Sequence, residues 1–188
     1  MENIRYEELS INNLDEYDKI PFYYDTDKRY ELIKINRGLG GIELKLIDVP
    51  HFHKEFDAKT TRWTSMFDLD NWKFFVAYNE DNKIIAGATL ATKTEDCHML
   101  EGKTDLAVLW DIRVSDEYKH QGIGQKLFDM AKNYAKSNGF KRLKVECQNT
   151  NPAAVNFYHK QGMVLSCIKE YAYSDFPNEV ELLWYLDL

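Results

Sequence analysis

A chain of 188 residues with 44% hydrophobic side chains is long enough for one domain with a full core and too short for two comfortable ones. Its net charge of −7 argues against a nucleic-acid partner, because phosphate backbones are held by clustered Lys and Arg. No apolar run approaches the roughly 18 residues needed to cross a bilayer, and MENIRYEELS has no basic segment followed by an apolar one; neither a membrane span nor a signal peptide is expected, and the chain reads as cytoplasmic.

No linker, repeat or low-complexity stretch divides the chain, so residues 1–188 read as a single domain. The first 25 or so residues are polar and aromatic, with a short helix expected after Asn12 or Asn13. Arg29–Ile35 and Ile42–Ile47 alternate polar and apolar side chains around the glycine-rich turn Asn36–Gly41, the pattern of a hairpin. Residues 48–71 read as irregular or weakly helical. Phe74–Tyr78 and Lys83–Ala91 are strands about the turn Asn79–Asn82. Ala107–Val114 is a nearly continuous apolar strand in which Asp111 and Arg113, two apart, share a face. Leu127, Phe128, Ala131, Tyr134 and Ala135 fall at helical spacing, with Gly139 at the helix end. Arg142–Cys147 is a strand, Asn151-Pro152 opens a helix that Gly162 closes, and strands near 164–173 and 180–187 follow. Cys97, Cys147 and Cys167 read as ordinary thiols, and His51 and His53 lack a third ligand at metal spacing, so no metal is expected.

Two segments carry chemistry. Lys119-His-Gln-Gly-Ile-Gly124 lies between a strand and a helix, where unsatisfied N–H groups and glycines admit phosphate oxygens; the same glycines also suit a plain turn. Asn151, Ala154 and Tyr158 share one helical face, either as a binding face or as a cap, a packing Ala and a core Tyr.

Together these segments resemble the GNAT superfamily of acetyl-CoA-dependent N-acetyltransferases. Lys119-x-x-Gly122-x-Gly124 is similar to its R/Q-x-x-G-x-G/A loop, and Asn151-x-x-Ala154-x-x-Phe157-Tyr158-x-x-x-Gly162 to its downstream helix. The resemblance implies an α/β (α+β) fold with a central mixed, mostly antiparallel sheet, helices on both faces and a splay after strand 107–114. It implies acetyl-CoA as cosubstrate, held by Ile112, Arg113 and Val114 through the backbone, by the loop and helix start Lys119, His120, Gln121, Gly122, Ile123, Gly124 and Gln125, and by Asn151 and Ala154. Tyr158 would protonate the departing thiolate, since a phenol with a pKa near 10 carries its proton at neutral pH. In the polyamine acetyltransferases of this superfamily the pattern before the loop is Glu-Asp; the matching pair here is Trp110-Asp111, so Asp111 and, on the next strand, Glu146 are the candidate bases, and Asp111 is equally placed to pair with Arg113.

Tyr173-Ser-Asp-Phe-Pro-Asn178, followed by Glu181-Leu-Leu-Trp-Tyr185, resembles the end of streptothricin acetyltransferases, GNAT resistance enzymes whose substrate carries a β-lysine chain. The implied partner is a small cationic amine, and Tyr23, Tyr24, Asp25 and Asp27 suit such a ligand as well as they suit a solvated arm. The rival functions are a protein N-terminal or polyamine acetyltransferase and a non-catalytic acetyl-CoA-binding regulator. A homodimer is left open as the assembly.

Overall fold

A computed structural model describes residues 3–188. The chain packs into two compact units. Unit 1 holds the residues up to Phe22, Phe56–Lys144 and Asp187–Leu188; unit 2 holds Tyr23–Glu55 and Val145–Leu186.

In unit 1 the strands β1 (Arg5–Leu9), β4 (Lys73–Tyr78), β5 (Ile84–Ala91) and β6 (Leu106–Val114) pair antiparallel in the order β1-β4-β5-β6. Strand alternation sorts β4 between two faces. Phe74 and Val76 join Tyr17, Trp63 and Trp72 in a core under the short helices α1 (Leu14–Tyr17) and α2 (Thr60–Met66). Phe75 points the other way, its ring 6.1 Å from that of Tyr134 on α3 (Ile123–Ser137). β5 lies between these layers and is buried along its whole length. Gly87 on β5 is a packing requirement, because a Cβ there would stand 2.4 Å from Cε2 of the fully buried Tyr17.

In unit 2 the strands β2 (Tyr23–Lys34) and β3 (Ile42–Glu55) form a long antiparallel hairpin. Its turn is built from Asn36 and Arg37 in left-handed conformation with Gly38 and Gly41. β7 (Arg142–Gln148), β9 (Val180–Asp187) and β8 (Val164–Glu170) lie in the order β7-β9-β8, and α4 (Pro152–Lys160) follows β7. Asn149, buried after β7, stitches these parts together. Its backbone oxygen accepts from Tyr30 N at 2.9 Å and its Nδ2 donates to Tyr30 O at 2.7 Å; Val180 N donates to its Oδ1 at 2.8 Å.

Two expectations need correction. Arg5–Leu9 is a strand rather than part of a polar arm, and it escapes pattern reading because only Leu9 of the five is buried. Residues 48–55 are the second half of β3 rather than irregular; Pro50 falls where the register shifts between Thr26 and Lys28, and such an irregularity tolerates proline. Helix content within 48–71 is confined to α2. No helix among the described residues is long and apolar enough to cross a membrane.

Candidate active site

The loop leading into α3 belongs wholly to unit 1. Ser115 N donates to Ile85 O at 2.8 Å, and Asn79 Nδ2 donates to the Tyr118 hydroxyl at 3.0 Å, so the loop is tied to β5 and to the β4–β5 turn. The same Asn79 folds that turn by accepting from Asp81 N and Lys83 N. Lys119 is paired with Asp116, and Gln121 Nε2 donates to Glu117 O. His120 and Gly122 are both left-handed, at φ 61° and 82°, which turns the chain sharply before Ile123 starts the helix. Only Gly takes such an angle without a steric penalty, so Gly122 is needed by the backbone whatever it binds.

Gly122 is the N-cap of α3, no side chain caps the helix, and its first turn carries no acidic residue. The N–H groups of Ile123, Gly124 and Gln125 therefore lack intrahelical acceptors and face no carboxylate of that turn. Open N–H groups at a helix start can accept an anion such as a pyrophosphate.

β6, the strand before this loop, contains a bulge. Asp111 pairs with Thr89 and Leu109 with Leu90, so Trp110 is an extra residue. The bulge turns Trp110 toward Trp63, Phe67 and Trp72, and Asp111 and Arg113 lie on that same side. Arg113 Nε donates to Asp111 Oδ1 at 3.1 Å and Oδ2 at 3.0 Å, and Nη2 is also bonded to Oδ2. The remaining guanidinium donors reach Ile20 O and Ala58 O, each at 3.2 Å, and the cation lies 4.5 Å from the Phe22 ring centre and 4.9 Å from that of Tyr17. The two side chains are 4% and 1% exposed for Arg113 and Asp111. Burial pushes the Asp111 carboxyl up from its ordinary value, an effect that the Arg113 charge opposes. Of the two roles open to Asp111, the ion pair is the one built here. A carboxylate sealed on both oxygens cannot take an amine's proton without breaking that pair.

Unit 2 holds the other candidates. Asn151 caps α4, its Oδ1 accepting from Ala154 N at 3.1 Å, and Pro152 occupies the first helical position, where its missing N–H costs nothing. Tyr158 is buried one face along, its ring 5.5 Å from that of Phe157. Glu146 on β7 is half-buried. It receives the Tyr173 hydroxyl and, at 3.1 Å, Gln148 Nε2. Burial, and then the Glu146 charge, push Tyr173 well above the ordinary phenol value, so it stays a donor.

The early aromatic and acidic residues do not act as one group. Tyr24 is buried with its hydroxyl 2.9 Å from Thr150 Oγ1, and burial pushes its pKa up to about 12. Asp25 stands 3.0 Å from His53 Nδ1 and 3.5 Å from His51 Nε2, while Tyr23 lies against the His53 ring at 5.0 Å. Among the described residues no group of three or more His, Cys, Asp or Glu is placed to hold a metal ion. Sequence reasoning missed Tyr173 as a partner of Glu146; its place in the streptothricin-like stretch was the available signal.

The profile of the Acetyltransferase (GNAT) family matches residues 42–163. Streptothricin acetyltransferase A of Bacillus subtilis is 28% identical over 136 residues, which cover 65% of this chain and 79% of that protein. Streptothricin acetyltransferase of Escherichia coli is 33% identical over 84 residues, 43% of this chain and 48% of that one. A Bacillus anthracis str. Ames protein assigned to the streptothricin acetyltransferases, solved in complex with acetyl coenzyme A, superposes with a TM-score of 0.77 at 27% identity, covering 99% of this chain and all of the other. Nourseothricin acetyltransferase superposes with the same TM-score at 20% identity, over 98% of each chain, and so supports the fold. With its α+β fold of mixed sheet and four helices, and its uncapped glycine loop at α3, the chain belongs to the GNAT family and is an acetyl-CoA-dependent acetyltransferase of that type.

Proposed function

We propose that the protein acetylates an amine of a small polycationic acceptor, the lysine-derived moiety of streptothricin. The observation that carries this reading is the bond from Tyr173 to Glu146: the stretch that resembles the end of streptothricin acetyltransferases supplies the hydroxyl that orients a half-buried carboxylate. The named relatives support the same substrate class.

In unit 1 the N–H groups from His120 to Gln125 hold the pyrophosphate, and backbone groups of Ile112, Arg113 and Val114 pair with pantetheine amides. When bound, acetyl-CoA supplies a thioester carbonyl open to attack by an amine. Glu146 takes a proton from the acceptor ammonium, which must be neutral to attack, and Tyr173 and Gln148 keep that carboxylate aimed. Tyr158 donates its phenolic proton to the departing thiolate. Asn151 Nδ2 bonds the pantetheine arm while Oδ1 stays on Ala154. Asp111 acts through Arg113, fixing the bulged strand.

Thiol release with four acceptors (streptothricin, spermidine, free lysine and an N-terminal peptide) tests the reading. The expected result is a kcat/KM for streptothricin far above the others, falling as salt rises because charge attraction is screened. A spermidine rate equal to it would place the protein among polyamine acetyltransferases, and a faster peptide would place it among protein N-terminal ones.

A further inference from the structure

The hairpin of unit 2 leaves one long strand edge open, and that edge matches itself. Ile35 N donates to Gly41 O, so that pair is hydrogen-bonded. Antiparallel pairs alternate, which makes Ile33–Glu43 and Glu31–Lys45 hydrogen-bonded and leaves Lys34–Ile42, Leu32–Leu44 and Tyr30–Leu46 facing outward. The outward N–H and C=O of Tyr30 on β2 are the groups that Asn149 satisfies. On the other side of the ribbon, the outward N–H and C=O groups of Ile42, Leu44 and Leu46 face away from β2, which is the one strand paired with β3 among the described residues. Ile42 and Leu46 are 52% and 44% exposed.

The sequence along this edge is Ile42-Glu-Leu-Lys-Leu46. We infer that a second copy of this chain pairs with it, antiparallel about a two-fold axis through Leu44. In that register Leu44 exchanges both backbone bonds with its copy, and Ile42 does so with Leu46 of the other chain, which uses every outward group of the segment. Glu43 then faces Lys45 of the second chain twice, in the closer, non-hydrogen-bonded positions where opposite charges stabilise. Side chains of Ile42, Leu44 and Leu46 gather on one face of the four-stranded ribbon so formed. A two-stranded ribbon is marginal in water, and an open apolar edge of this length recruits a partner unless it is blocked. A closed two-fold contact uses the edge up and stops growth at a dimer.

Sedimentation velocity of the full chain from about 1 to 100 μM, set against a Kd in that range, reads the equilibrium. Wild type is expected to move from monomer to dimer. Lys45→Glu places like charges opposite each other twice and is expected to raise Kd at least tenfold; adding Glu43→Lys to it restores opposite charges and is expected to bring Kd back. Leu44→Pro removes one outward N–H without touching a bond to β2, so it is expected to abolish the dimer with thermal unfolding little changed. A wild type monomeric throughout, or a dimer that the charge reversal and its compensating swap leave unmoved, overturns the inference.

Discussion

Helix α3 starts on a left-handed Gly122 with no side chain over its first N–H groups, whereas α4 starts on Asn151, which caps Ala154, and on Pro152, which has no N–H to satisfy. The second start is complete within the protein. The first has no capping side chain, because its N-cap is the glycine that the left-handed turn requires, and its first N–H groups stay open. An open helix end of this kind offers its backbone N–H groups, while a capped one offers chiefly its side chains.

The largest effect expected from this contrast is at Tyr158. Tyr158→Phe keeps the buried ring and removes the proton; kcat should fall by roughly 10²–10⁴ with acetyl-CoA affinity little changed. Turnover near wild type would make Tyr158 a packing residue and leave α4 without chemistry. At α3, Gly124→Leu crowds the approach to the open N–H groups. The KM for acetyl-CoA should rise well over tenfold, a loss of a few kcal/mol, and calorimetry showing unchanged cofactor binding would refute the anion site.

Asn151 sharpens the comparison because it has two jobs to separate. Asn151→Ala should lower stability by about 1 kcal/mol in urea unfolding, the usual worth of a cap. Asn151→Asp keeps a capping oxygen and loses the Nδ2 donor, so it should hold stability and raise the acetyl-CoA KM several-fold. An unchanged KM would reduce the start of α4 to structure alone. The smallest effect lies at Tyr173→Phe. It removes the hydroxyl that Glu146 receives and leaves that carboxylate less firmly aimed, so kcat should fall several-fold with the KM for acetyl-CoA unchanged.

The glycine loop and α4 were legible in the sequence because each is local: glycine angles, a cap and a helical face are set within a few residues. The bulge at Trp110 was not, since a strand one residue out of step looks continuous until its partner's register is known. The part played by Asn149 was not legible either. Its bonds go to Tyr30 and Val180, 119 and 31 residues away, and no short-range pattern marks an amide that substitutes for a strand. Asp111 and Arg113 were correctly put on one face, but which of two roles Asp111 takes depended on Ile20, Phe22 and Ala58 closing over the guanidinium.

That closure has a consequence for how the chain can diverge. The chain leaves unit 1 at Phe22 and returns at Phe56, and these two rings stack at 4.6 Å with Phe56 N bonded to Phe22 O at 2.9 Å. With its ends stapled together, the intervening segment Tyr23–Glu55 behaves as an inserted cassette. Closure entropy grows only with the logarithm of loop length, so doubling the insert would cost only roughly 0.6 kcal/mol. Lengthening the hairpin at its tip is therefore cheap for the unit that carries the glycine loop, because the neck at Phe22 and Phe56 stays fixed.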